Sequence, residues 1–270
     1  MNIILSTIGT AGDHYPFIGL GHALLSRGHD VTLIGFKPFE SLARLYGLNY
    51  IPIGTQDSYN ALVHSPDLWH PKQGFRFFIR QAILPSIQPV YETIKSLQTQ
   101  NQTVMAAMGF VFAARLAQEK LDLPLATIHI QPSVFRSVYQ TPVMAQTNLP
   151  QYLPTPLKRL LFRCADFLLV DPLLKPGLNS FRSELNLPPV NRVYSNWWNS
   201  PQKVIGMFPE WFGSPQPDWP PQTVLTGFPL FDEGEKSSLP DELLQFLSAG
   251  ELPVVFTLGS IQHMQSTFIK

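Results

Sequence analysis

At 270 residues, with 44% hydrophobic and only 14% charged residues, the chain supports a large core and fits one large domain, or one domain and part of a second. Its 19 basic and 19 acidic residues cancel, which argues against nucleic acid or an anionic membrane as a partner recruited by overall charge. The single cysteine, Cys164, excludes an internal disulfide, and no stretch approaches the ~20 apolar residues of a membrane span.

The chain opens on a short apolar strand, Asn2 to Ser6, followed by the loop Thr7-Ile8-Gly9-Thr10-Ala11-Gly12-Asp13-His14-Tyr15. Pro16 fits the first position of a helix, and Phe17, Leu20, Leu24 and Leu25 recur at helical spacing behind it. Gly28 caps that helix, and Val31 to Ile34 reads as a strand buried on both faces. In an open parallel sheet, ligands bind beyond the carboxyl ends of the strands, so Asp13 and His14 are candidate active-site residues by topology.

Two other readings compete at this loop. A dinucleotide turn needs Gly-x-Gly-x-x-Gly and an acid at the end of the second strand. Here the spacing is Gly-x-x-Gly, and Gly35 and Phe36 stand where the acid belongs. Asp13 also suits a helix cap, a role compatible with catalysis.

Further along, a helix ends at Gly47 and a strand covers Tyr50 to Ile53. Residues 54–74 lack periodicity and read as a long loop carrying His64, Trp69 and His70. A helix over about 76–99 should be kinked or split by Pro85 and Pro89. A weak strand at 104–107, a helix to about Lys120 and a strand at 125–128 follow. Helical sequence returns over about 157–185, interrupted by Pro172 and Pro176, and strands follow at 204–208 and 223–225. Strands alternating with helices predict an α/β fold with a doubly wound, Rossmann-like parallel sheet. A polar linker follows at 232–238, then a short helix and a buried strand at 253–258 ending in Gly259-Ser260. The expected organisation is an N-terminal domain over 1–232 and, over 233–270, a linker and the first strand of a second, incomplete domain.

Taken together, Ile8 to Phe17, Pro66 to Lys72, Phe208-Pro209-Glu210-Trp211-Phe212, Thr226-Gly227-Phe228-Pro229 and Phe256-Thr257-Leu258-Gly259-Ser260 resemble the GT-B glycosyltransferases that use nucleotide-activated sugars. The match is to the bacterial branch with the sterol, macrolide and glycopeptide enzymes, and within it to the rhamnosyltransferase subunit of rhamnolipid synthesis. The resemblance implies an inverting transfer of a hexose or deoxyhexose to a hydroxyl of a lipid-like or small hydrophobic acceptor. It implies a UDP- or TDP-linked sugar as co-substrate, with no cofactor and no bound metal; the histidines and Cys164 likewise lack metal-ligand spacing.

By the same resemblance the first domain holds the acceptor and the second the donor. Asp13 matches the family's base, and His14 stands one residue past the position where a related branch carries a His, so both are candidates for that role. Gly9, Thr10, Gly12, Gly259 and Ser260 are the expected donor contacts. His129 and Gln131, two residues apart at a strand end, and Trp69 in the long loop are candidates to line the acceptor pocket. Leu157 to Arg163 is a basic amphipathic stretch that suits either a solvated helix face or a membrane surface. The expectation is a cytoplasmic protein, soluble or at most peripheral at the inner face of the membrane. The alternative is a catalytically silent acceptor-binding module or partner subunit.

Overall fold

The computed structural model describes residues 1–99, 102–141, 152–231, 239–251 and 253–255. Seven strands form one wholly parallel sheet: β1 (Asn2–Ser6), β2 (Asp30–Phe36), β3 (Asn49–Ile53), β4 (Thr103–Met108), β5 (Leu125–His129), β6 (Lys203–Gly206) and β7 (Thr223–Leu225). Their order is β3-β2-β1-β4-β5-β6-β7. The chain winds outward from β1 in one direction, returns, and winds outward from β4 in the other. The β1/β4 boundary is thus the switch point, where crossover connections leave a crevice open above the strand ends.

The helices are α1 (Ala11–Leu25), α2 (Glu40–Leu45), α3 (Gln56–Val63), α4 (Gly74–Phe78), α5 (Leu84–Leu97), α6 (Phe112–Leu121), α7 (Thr155–Ala165), α8 (Asp171–Glu184) and α9 (Asp241–Ser248). Ile3, Ile4, Leu5, Val31, Leu33 and Ile34 are all buried, as central parallel strands require. On β4 the exposure alternates, and Val104 and Ala106 look onto a groove of ≈ 1100 Å³ between α1 and the segment Thr226–Leu230. That groove lies over a face of the sheet and is separate from the crevice at the strand ends.

Four expectations need correction. The first helix starts at Ala11, five residues before Pro16, because Thr10 and Asp13 form a capping box. Pro16 is tolerated inside it because Gly12, whose carbonyl its missing N–H would have reached, is exposed in the first turn. Residues 54–74 are not all loop. Thr55 and Ser58 box the start of α3, where Thr55 Oγ1 accepts from the Ser58 N–H at 3.1 Å. In the long helical stretches the interruptions are wide π turns at Ile79–Ile83 and Asp166–Val170, and Pro85 and Pro172 sit in the opening turns of α5 and α8. Val254 and Val255 are exposed and in no strand. Residues 256–258 of that expected strand, with Gly259, Ser260 and the 232–238 linker, lie outside the described residues.

Candidate functional site

The turn from β1 into α1 is built around one carboxylate. Gly9 adopts φ 136°, a conformation open to glycine, and a Cβ there would stand 2.1 Å from Asp13 Oδ2. The chain therefore folds back far enough for the Thr10 N–H to donate to Asp13 Oδ2 at 2.7 Å, with the Thr10 hydroxyl at 3.4 Å. Among the described residues no hydrogen bond engages the other oxygen, Oδ1. Burial raises the Asp13 pKa above its ordinary value, partly offset by the two Thr10 hydrogen bonds. The result is a positioned carboxylate, half-buried, more basic than a solvated one and with a free lone pair.

His14, the next residue, is fully buried. Its Nε2 accepts from the Phe36 N–H at 3.0 Å at the end of β2, which assigns the proton to Nδ1, and Nδ1 donates to the Thr10 carbonyl at 3.0 Å. The ring stacks on Phe39 at 3.9 Å and passes so close over Gly35 that a Cβ there would meet it at 2.9 Å. Burial pushes its pKa down to about 4, so it stands neutral with both nitrogens spent on backbone. His14 thus pins the β1–α1 turn to the end of β2.

Tyr59 on α3 belongs to the same cluster. It packs on Phe36 and Phe39 at 5.5 and 5.7 Å, and both burial and the Asp13 charge raise its pKa. The sequence reading passed over it by treating 54–74 as loop; the Thr55-x-x-Ser58 spacing is the signal that marks α3. Trp69 donates its indole N–H to the Val63 carbonyl at 2.8 Å, docking the following loop onto the end of α3.

Across the crevice, β1 and β5 flank β4 and so lie roughly 10 Å apart. His129 ends β5 and is buried, and its Nε2 meets Asn199 Oδ1 at 2.7 Å. It packs edge-on against Trp198, whose indole N–H donates to the Gly109 carbonyl just past β4. Burial lowers the His129 pKa to about 4. Gln131 is exposed, so the pair expected on one face is divided, one member inside and one out. A 3-10 turn at Pro132–Val134 follows directly and breaks the strand alternation on which that pairing rested. Trp198 and Asn199 were not singled out from the sequence, and nothing in their spacing marks them.

Of the donor-side candidates, Gly9 is buried, Thr10 half-buried and Gly12 exposed on the first turn of α1. Gly259 and Ser260 lie outside the described residues. Among the described residues there is no group of three or more His, Cys, Asp or Glu placed to hold a metal ion, and no helix long and apolar enough to cross a membrane.

Comparison with known proteins identifies the family and the fold. Residues 3–140 match the glycosyltransferase family 28 N-terminal domain. The chain is 26% identical to O-mycaminosyltylonolide 6-deoxyallosyltransferase of Streptomyces fradiae, covering 96% of this chain and 61% of that protein. It is 28% identical to the sterol 3-beta-glucosyltransferase UGT80B1 of Arabidopsis thaliana (97% and 43%), and 26% identical to UDP-sugar-dependent glycosyltransferase 52 of Dictyostelium discoideum (97% and 16%). The chain therefore spans between 16% and 61% of these relatives' length, less than two thirds of each. Among solved structures, the glycotransferase of kitacinnamycin superposes with a TM-score of 0.56 at 14% identity, over 88% of this chain and 54% of that one. The glycosyltransferase SnogD from Streptomyces nogalater gives 0.55 at 15%, over 89% and 55%. The architecture is the Rossmann-like half of a GT-B fold.

Proposed function

The chain belongs to the family of the glycosyltransferase family 28 N-terminal domain, and from that premise we propose that it holds the acceptor side of an inverting sugar transfer. The donor is a UDP- or TDP-linked hexose or deoxyhexose, and the acceptor a hydroxyl on a lipid-like or small hydrophobic molecule. Residues 1–232 form the acceptor domain, and Gly259 and Ser260 open the donor side. The sterol and macrolide transferases among the relatives support a hydrophobic acceptor.

Asp13 carries the chemistry. Its Oδ1 takes the proton from the acceptor hydroxyl as that oxygen bonds to the anomeric carbon, and the bond to the nucleoside diphosphate breaks on the opposite face. The observation that carries this reading is the carboxylate itself, fixed through Oδ2 by Thr10 and made more basic by burial. General-base help of this sort is worth about 10²–10⁴-fold in rate. His14 acts as a positioning residue, since the Phe36 N–H occupies its one lone pair. Tyr59 and the loop carrying Trp69 wall one side of the acceptor, while Gln131 reaches it from the end of β5 with His129 packed behind. The turn at residues 9–12, with Gly259 and Ser260, supplies the donor contacts, where charge develops on the diphosphate; the Thr10 N–H itself is committed to Asp13 Oδ2.

The test is a transfer assay on the protein at its natural length, using UDP- and TDP-linked sugars with a sterol or another hydrophobic alcohol. The expected product is a glycoside of inverted anomeric configuration, read by proton coupling constants. A retained configuration would overturn the mechanism, and failure of every nucleotide sugar with every hydrophobic alcohol would overturn the assignment.

A further inference from the structure

Helix α7 is built inside out. The side facing the body of the protein is largely polar: Lys158 is buried and donates to the Val138 carbonyl at 3.1 Å, Phe162 lies half-buried under the Arg136 guanidinium, and Asp166, just past the helix, is buried against Arg136 at 2.6 Å. Apart from Phe162, the large apolar side chains face away. Leu157, Leu160, Leu161, Cys164 and Leu168 recur at i, i+3, i+4, i+7 and i+11, the spacing of a stripe that normally seeks a core. All of them are exposed. The wide turn that follows carries one residue more per turn than an α-helix and sets Phe167, Leu168 and Leu169 outward in succession, at 74%, 65% and 68% exposure. An apolar surface this continuous marks an interaction site.

The charge beside the stripe identifies its occupant. Arg159 and Arg163, one helical turn apart, flank it, and neither enters an ion pair among the described residues. A hollow of ≈ 350 Å³ brings Arg163 together with Arg192 beside Cys164, Phe167 and Leu168. Asp171 also lines the hollow, but it is buried and its two oxygens accept from the backbone N–H groups of Arg192 and Val193 at 2.9 and 3.0 Å. The only acid between residues 152 and 170 is Asp166, which is turned inward. The exposed face is therefore apolar and cationic only, although the chain as a whole is neutral.

We propose that α7 and the turn Asp166–Val170 dock on an anionic phospholipid surface, the apolar stripe entering the interface and Arg163 and Arg192 receiving a headgroup phosphate. An apolar face edged by arginines lies flat at such a boundary, where buried apolar area and attraction to anionic lipid add together. The position suits delivery of a hydrophobic acceptor: Asp166 binds Arg136, and Tyr194 in the turn Val193–Trp197 beyond α8 donates to the Val134 carbonyl, just past β5. The docking itself does not depend on the transfer reaction.

Flotation of the full chain with vesicles tests it without any activity readout. Vesicles of phosphatidylcholine and phosphatidylglycerol in equal parts should carry the protein, and phosphatidylcholine alone or high salt should release most of it. Arg159→Glu with Arg163→Glu should weaken binding about tenfold or more. Phe167→Ser with Leu168→Ser should abolish it, and because both side chains are exposed the thermal unfolding midpoint should hold, which separates lost docking from lost folding. Equal binding of parent and Phe167→Ser/Leu168→Ser would overturn the proposal. So would a parent chain that ignores anionic vesicles but forms a dimer dispersed by the same substitutions, since the occupant would then be a second copy.

Discussion

The Phe36 N–H donates to His14 Nε2 at 3.0 Å, tying the end of β2 to the first turn of α1 through a ring that cannot accept a proton without breaking the contact. The His14 pKa falls from 6.5 to about 4 through burial, and that of His129 does the same. Between those values the unfolded chain binds protons that the folded chain refuses. Stability is therefore full above about pH 6.5 and declines as pH drops towards about 4, by on the order of 3 kcal/mol for each histidine. Urea titrations at stepped pH should show this loss. His14→Phe should flatten part of the slope while lowering stability at neutral pH by about 1–3 kcal/mol, because the Phe36 N–H loses its partner, whereas the Thr10 carbonyl keeps the Asp13 and His14 backbone N–H groups.

Asp13 has the opposite sign. Its folded pKa lies above the ordinary value of 3.8, so the ionised form is penalised by burial at every pH above that folded value, and the penalty vanishes below 3.8. Asp13→Asn keeps an oxygen for the Thr10 N–H and removes the buried charge. Its unfolding midpoint at neutral pH should equal or exceed the parent's, and the gain should fade in acid. A midpoint clearly below the parent's would show that the charge itself holds the turn.

Gly9→Ala should be costly for its size. The new methyl meets Asp13 Oδ2 at 2.1 Å and the backbone is already at φ 136°. A loss of about 1–3 kcal/mol is expected from the backbone conformation alone, with transfer falling further than stability because the carboxylate must move. Calorimetry and turnover measured on the same preparation separate the two effects.

Asn199→Leu should lower stability by about 1–3 kcal/mol by stranding His129 Nε2, which now lies 2.7 Å from Asn199 Oδ1. The same urea titration checks it, and an unchanged midpoint would mean that the ring finds another partner.

The unit β1–α1–β2 and the parallel sheet were legible in the sequence because short β-branched runs alternating with helical spacing admit few other folds. The position of Asp13, at the turn from β1 into α1, was legible by topology alone. The helix start was misplaced because Pro16 was weighed more heavily than the Thr10–Asp13 box, and the box wins once Gly12 is exposed. α3 was missed because its eight residues carry few apolar positions beyond Tyr59 and Leu62, so a cap rather than periodicity reveals it. His14 and His129 looked like chemistry at strand ends. Only the fold shows that the Phe36 N–H and Asn199, residues far along the chain, occupy their nitrogens. Lys158 was grouped with a basic surface, yet it turns inward; a period locates a stripe without saying which side the core lies on.

The turnover of Asp13→Asn, measured in the protein at its natural length with donor and acceptor saturating, tests the central claim most directly. A fall of about 10²–10⁴-fold in kcat is predicted, with the fold and acceptor affinity retained. Turnover within a few-fold of the parent protein's would contradict it and remove Asp13 from the proposed reaction.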